Sequence, residues 1–178
     1  MTDLTRLIEQ VVDYAIIALD GSGTIRSWNA GAERLKGYTA TEAIGRSFSM
    51  FYTDEDRRSG LPLHLLEEAR EKGRVEHLGW RVRQDGTRFW GDVVITAVPD
   101  ADGTVTDFVK VTRDLTAQHE LEESLRRSEE RFRLLVGQVR DYAIIALDAS
   151  GTIESWNAGA QHLKGYAAEE AIDRKSVV

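Results

Sequence analysis

An α+β fold around an antiparallel sheet follows from three observations. Runs of β-branched and aromatic residues are joined by short Asp-Gly and Gly-Ser turns, the signature of hairpins rather than of parallel crossovers. Between the first two and the last three of these runs lie several short segments with helix start and stop signals. Thirdly, a 34-residue stretch recurs. DYAIIALDGSGTIRSWNAGAERLKGYTATEAIGR from Asp13 returns 128 residues later from Asp141, with 27 of 34 positions identical. That match marks two copies of one domain type in tandem, not a solenoid of short repeats.

The elements follow in order. Leu4, Leu7, Ile8, Val11 and Val12 form an apolar stripe that predicts an amphipathic helix over residues 1–12. Tyr14 to Leu19 reads as a strand, Asp20 to Gly23 as a turn, and Thr24 to Trp28 as the return strand. Asn29 can cap the helix that runs through Leu35. Thr39-Ala40-Thr41-Glu42 has capping-box spacing, which the second copy loses by placing Ala167 at the cap. Gly60 and Gly73 bracket the helix LPLHLLEEAREK, with Pro62 suited to its first turn. Three strands complete the set: Val75 to Arg83, with Leu78, Trp80 and Val82 on one face; Phe89 to Val98; and Thr106 to Thr112.

The pattern then changes. Leu121, Leu125, Ser128, Phe132, Leu135 and Val139 are spaced as a heptad seam with one polar step. Glu122–Arg126, Glu123–Arg127 and Glu129–Arg133 are i,i+4 pairs in the favourable order. No Pro or Gly interrupts residues 116–136, so this is a stiff helical connector over 117–139. Its seam predicts a homodimer through Leu121, Leu125, Phe132 and Leu135. The resulting plan is an N-terminal helix (1–12), a complete domain (13–116), the connector (117–139) and the front part of a second repeat (140–178). The second copy stops four residues after Arg174, which suggests a piece of a longer protein.

Composition narrows the function. A net charge of −7 argues against a nucleic-acid-binding surface. With no cysteine, disulfides, zinc–thiolate sites and cysteine nucleophiles are excluded. No apolar run approaches a membrane span, and MTDLTRLIEQ does not resemble a signal peptide, so a cytoplasmic location without membrane contact in this chain is expected. No metal site and no catalytic constellation stand out. His119-Glu120-Leu121 resembles the start of a kinase phosphoacceptor box but lacks what should follow, so His119 reads as an exposed connector residue and the chain as a non-enzyme.

Trp28-Asn29 at the strand-to-helix step, LKGYTATEAIG at 35–45, RQDGTRFW at 83–90 and VTRDLT at 111–116 together resemble the PAS domain family. The chain looks most like the tandem sensor repeats that precede bacterial histidine kinase cores. The resemblance implies a PAS fold, a five-stranded antiparallel sheet with short helices on one face, followed by the connector and a truncated second repeat. It also implies a sensory input module that takes up a ligand, cofactor or partner and passes a conformational bias down an exit helix to an output domain. Two competing readings are a ligand-free interaction or dimerisation module and a non-covalent flavin or haem redox sensor.

The resemblance also places candidate site residues. The reactive-cysteine slot of the flavin photoreceptors falls at Phe48, and the flavin-gripping amide slots fall at Ser47, Tyr52, Arg81, Gly91 and Thr112. Cysteinyl-adduct photochemistry is therefore excluded, and neither FAD nor haem is predicted; His64 does not match a haem pattern. The same mapping points Arg81, Phe89, Gly91, Val93, Phe108, Lys110 and Thr112 inward, and Trp80, Trp90, Val94, Val109 and Val111 outward. An inward Arg81 and Lys110 would need partners: an anionic ligand, a carboxylate or water, unless a bulge flips the parity. The outward apolar face needs a cover. Arg113, Asp114 and Thr116, where the last strand becomes the connector, are the expected coupling point.

Overall fold

The computed structural model describes residues 10–175. The chain forms two units that divide between His119 and Glu120. The helix expected over residues 1–12 falls almost wholly outside the described residues.

The first unit holds four strands, β1 (Ala15–Asp20), β2 (Arg74–Val82), β3 (Arg88–Pro99) and β4 (Val105–Asp114). Their order in the sheet is β1-β4-β3-β2, every pair antiparallel. Four short helices run between β1 and β2: α1 (Ala30–Lys36), α2 (Ala40–Ala43), α3 (Asp54–Arg58) and α4 (Leu61–Lys72), with a 3₁₀ turn at Phe48–Phe51. Asn29 starts α1 by accepting from Ala32 N–H, and α4 lies between Gly60 and Gly73 as its spacing predicts.

The fifth strand of the expectation is absent from this sheet. Thr24 to Trp28 makes only isolated bridges, Leu19 with Ile25 and Thr24 with Ser47. The reason lies in the side chains beside it. The outward N–H groups of β1 at Ile16 and Ala18 are taken by Asn29 Oδ1 and Ser27 Oγ, both at 2.9 Å, where a paired strand would offer backbone carbonyls. Ile25 turns away to pair with Arg46 and Gly45.

One face of the sheet carries the core. Ile17 and Leu19 of β1, Val93 and Ile95 of β3 and Phe108 of β4 meet Leu65, Leu66 and Ala69 of α4 and Phe48, Phe51 and Tyr52 of the 3₁₀ turn and its exit. Fully burying a large apolar side chain contributes about 1.5–3 kcal/mol. A core of this size can therefore carry a few costly polar groups, and it does.

A 23-residue helix, α5 (Thr116–Gln138), follows β4. In the second unit, β5 (Ile145–Leu147) and β6 (Ile153–Trp156) form a two-stranded antiparallel sheet, followed by α6 (Ala158–Lys164) and α7 (Ala168–Ala171). The repeated sequence yields repeated bonds. Trp28 Nε1 donates to Tyr38 O at 2.9 Å, and Trp156 Nε1 to Tyr166 O at 3.0 Å. Asp20 and Asp148 each gather the N–H groups of their own turn. The cap that Ala167 was expected to lose survives in half: Ala167 N–H donates to Glu170 Oε2 at 2.9 Å, as Thr39 N–H does to Glu42 Oε2 at 2.8 Å. That half needs only the glutamate and a backbone donor.

Candidate functional site

The inner face of the sheet brings a cation into the core along a path cleared by two glycines. Gly79 of β2 pairs with Gly91 of β3. A Cβ on Gly91 would lie 2.9 Å from Arg81 Cγ, and one on Gly79 would lie 3.0 Å from Arg81 Nη1. The Arg81 side chain fills the room that these two positions leave. Arg81 is fully buried, and its guanidinium stacks 4.2 Å from the centre of the Tyr52 ring. Nη1 donates to Trp80 O at 2.8 Å. Nη2 lies 2.9 Å from His77 Nδ1. Arginine only donates, so this bond requires an unprotonated Nδ1. Burial first, and Arg81 second, lower the His77 pKa and favour that form.

Two lysines share this interior. Lys36, at the end of α1, and Lys110, in β4, are both fully buried. Lys36 Nζ lies 4.3 Å from the Phe51 ring centre and 5.4 Å from that of Phe89. Burial, with Arg81 and Arg83 adding repulsion, pushes its pKa down to about 7. Lys110 Nζ donates to Thr112 Oγ1 at 2.7 Å. Burial, then Lys36 and Arg81, hold it well below the ordinary lysine value. No carboxylate residue is fully buried among the described residues. Among the described residues, Lys36 Nζ and Arg81 Nε have no hydrogen-bond partner, and the Tyr52 hydroxyl meets none in good geometry, although the Arg81 side chain lies near it. Burial pushes the Tyr52 pKa up to about 12, so the phenol keeps its proton as a donor.

The structure thus places Arg81, Phe89, Gly91, Val93, Phe108, Lys110, Thr112 and Phe48 in the interior. Phe48 packs edge-on against Tyr52, ring centres 5.7 Å apart. Ser47, a slot implied by the resemblance, instead faces solvent and accepts from Ser49 N–H. His64 is exposed on α4. A groove of about 520 Å³, between α3 and β2, is lined by Thr53, Asp56, His77, Gly79, Trp80 and Trp90 among others. His77 and Gly79 are the residues that Arg81 touches, so this groove reaches the outer side of the cation cluster.

At the junction with α5, Asp114 Oδ1 accepts from Thr116 N–H at 2.8 Å and from Thr116 Oγ1 at 2.5 Å. Burial works against the Asp114 carboxylate, but the bonds from Thr116 and Arg83 prevail and hold its pKa below the usual range. Thr116 Oγ1 accepts in turn from Trp90 N–H at 2.9 Å, tying the helix start to β3. The charge that pairs with Asp114 is not Arg113, which is exposed and sits 5.9 Å from the Tyr14 ring. It is Arg83, whose Nη2 lies 2.8 Å from Asp114 Oδ2. Arg83 also donates to Leu35 O and stacks 4.4 Å from the Phe89 ring centre. Gln84 N–H donates to Lys36 O at 2.9 Å. The end of α1, the end of β2 and the start of α5 are therefore joined through Arg83 and Gln84.

His119 is half-buried rather than exposed. It stacks on Trp90 with ring centres 4.3 Å apart and meets Trp80 edge-on at 5.7 Å. The first turn of α5 thereby supplies part of the cover that the outer sheet face requires. Leu121, Leu125, Phe132 and Leu135 are all more than half exposed on α5. Among the described residues, no cluster of His, Asp or Glu could hold a metal ion, and no helix is long and apolar enough to cross a membrane.

Lys36, His77 and Arg83 escape sequence reasoning for different reasons. Lys36 shares a face with Ala32 one turn earlier, but a lysine at a helix end ordinarily extends to solvent. His77 lies four residues before Arg81 on one strand, so strand parity alone places the two on the same face. Arg83 acts across 31 residues on Asp114, which no local pattern encodes.

Comparison with known proteins accords with this geometry. The PAS fold family matches residues 2–115. Two-component system protein A of Emericella nidulans is 50% identical over 116 residues, 65% of this chain and 17% of that protein. The bacterioopsin transcriptional activator of Halobacterium salinarum is 30% identical over 169 residues, 83% of this chain and 24% of that protein. The chain therefore spans less than a quarter of the length of these relatives. Among solved structures, an RNA-binding light-oxygen-voltage receptor aligns with a TM-score of 0.60 at 28% identity, over 71% of this chain and 36% of that one. A PAS domain from Colwellia psychrerythraea aligns with a TM-score of 0.57 at 22% identity, over 65% of this chain and 99% of that one, a likeness of fold alone. With the family matching nearly two thirds of the sequence and the sheet and helices in place, this chain belongs to the PAS fold family.

Proposed function

We propose that the chain is a sensory input module whose first domain takes up a small anion among Lys36, Arg81 and Lys110 and passes the change into α5. The observation that carries this reading is the set of three fully buried cationic residues with no buried carboxylate beside them. An unpaired buried charge costs several kcal/mol, and an anion of matching size would return that energy as binding. The unpartnered Lys36 Nζ, Arg81 Nε and Tyr52 hydroxyl are the donors such an anion would meet. In this reading Arg113, Asp114 and Thr116, with Arg83, form the exit. An anion at Lys36 would alter the packing of Phe89, on which Arg83 rests while holding Asp114.

The likeness to two-component system protein A of Emericella nidulans supports an output in two-component signalling, which we take to be a histidine kinase. The exposed Leu121, Leu125, Phe132 and Leu135 on α5 support a homodimer through the connector, and the bonds of Trp156 and Asn157, which match those of Trp28 and Asn29, support a second repeat of the same domain type; a cytoplasmic location belongs to the same proposal. The test is thermal denaturation of the purified protein in formate, acetate, malonate and phosphate, beside native mass spectrometry of the freshly isolated chain. The expected result is a colourless protein stabilised by at least one of these anions, with the effect lost in Lys36→Met. A stoichiometric flavin or haem, or indifference to every anion, would refute the reading.

A further inference from the structure

We infer that Lys36 is a carbon dioxide acceptor: its buried amine forms a carbamate, and the anion that the cation cluster awaits is made in place. This rests on the anion-site reading above and names its ligand class.

Lys36 Nζ lies between two fully buried rings, 4.3 Å from the centre of Phe51 and 5.4 Å from that of Phe89. Carbon dioxide is small, linear and uncharged. It sheds no ionic hydration shell on entering apolar surroundings, and it needs far less room than a preformed organic anion.

The chemistry needs a neutral amine and a setting that favours the product anion. Lys36 Nζ has no hydrogen-bond partner among the described residues, so its lone pair is uncommitted when the amine is neutral. With a pKa of about 7, the amine is neutral in a large fraction of molecules at physiological pH. The lone pair attacks the carbon of CO₂ to form an N–C bond, and one C=O π pair moves onto oxygen. The nitrogen then loses a proton to the Lys110 amine, itself held well below the ordinary lysine value. Lys36 becomes –NH–COO⁻ and Lys110 becomes –NH₃⁺, with no oxidation or reduction and no net change in charge.

The product satisfies what the unreacted core leaves open. The carbamate oxygens are acceptors, and Arg81 Nε and the Tyr52 hydroxyl are unpartnered buried donors in the same interior. The charged groups that face this site are Arg81 from β2 and Arg83 from the end of β2, and each raises the cost of a protonated Lys36; Lys110 from β4 is disfavoured as a cation by burial, Lys36 and Arg81 and is the neutral amine that takes up the proton. Asp56 from α3 acts on Arg81, Tyr52 and His77. Surface lysines have none of this: no buried donors stand beside them to hold the product.

The test uses the full chain equilibrated with ¹³C-bicarbonate at pH 7 to 8. It is read by ¹³C NMR for a protein-bound carbamate, and by ethyl trapping with a trialkyloxonium salt followed by peptide mass spectrometry. The expected result is one carbamate, trapped on the peptide bearing Lys36, growing as pH rises through 7 and lost in Lys36→Met. Tyr52→Phe, which removes one donor and little volume, is expected to lower its occupancy severalfold. Trapping only on Met1, Lys72, Lys110 or another lysine, or no adduct at saturating bicarbonate, would overturn the inference. If no adduct forms but formate or acetate still raises the melting temperature, the anion site stands and its ligand is not CO₂. If neither occurs, both readings fall.

Discussion

Lys36→Met tests the energetic premise directly. Methionine keeps the length and apolar stem of lysine and removes the charge. Each pKa unit corresponds to about 1.4 kcal/mol of differential interaction. The drop from 10.5 to about 7 therefore corresponds to a burial penalty on the order of 5 kcal/mol at neutral pH. The sign follows from proton binding. Between pH 7 and 10.5 the unfolded chain holds a proton on Lys36 that the folded chain has lost, so stability rises with pH across this window. Below pH 7 both states are protonated and the penalty is constant. Urea denaturation in CO₂-free buffer at pH 7 and pH 9 reads the effect. The wild-type midpoint is expected to increase between these values. Lys36→Met is expected to be more stable than wild type by about 2–5 kcal/mol at pH 7, with a smaller gain at pH 9. A variant less stable than wild type, together with a wild-type midpoint that does not rise with pH, would refute the reasoning. Either Lys36 would then have a partner, or its ammonium would not reside in the core.

Three further outcomes follow from the same structure. Asp114→Ala removes the acceptor of Thr116 and the partner of Arg83, and is expected to cost about 1–2 kcal/mol in denaturation, the value of a helix cap and a half-exposed ion pair; because its folded pKa is depressed, this contribution should fade as pH falls below about 4. In a fusion to an intact kinase output, the same variant is expected to fix activity at one level, and a wild-type response would leave the junction as a cap only. Replacing Leu121 and Leu125 by Asp is expected to shift the protein toward monomer in sedimentation, whereas a wild type already monomeric at high concentration would end the dimer proposal. Hydrogen exchange is expected to be much faster over β5 and β6 than over β3 and β4, since a two-stranded sheet is marginal alone; equal protection would contradict this.

The strands and the longer helices were legible because their signals are local: turn chemistry at Asp85-Gly86, the Gly60–Gly73 bracket, and the heptad spacing of the connector. The return strand was over-read because Ser27 and Asn29 supply side-chain acceptors where a paired strand would supply carbonyls. The inward parity of Arg81 and Lys110 could be read because strand alternation is strict. Lys36 could not, since its burial depends on the 3₁₀ turn bringing Phe51 over the end of α1. The pairing of Arg83 rather than Arg113 with Asp114 is a matter of register. Arg113 stands opposite Asp92 on the outer face, while Arg83 follows the end of β2 and reaches the helix start.

Everything proposed for the site depends on Lys36 being a buried amine that an anion can reach. Side-chain NMR of the ¹³C-labelled lysines reports this residue by residue. Titrated in CO₂-free buffer, Lys36 is expected to lose its proton near pH 7, far below the ordinary lysine value of 10.5. Adding a saturating small anion, or letting CO₂ in at neutral pH, is expected to change the Lys36 signal selectively: an anion by raising its pKa, CO₂ by replacing the amine resonance with that of a carbamate. A Lys36 that titrates at the ordinary lysine value, and does not respond to either, would contradict the account.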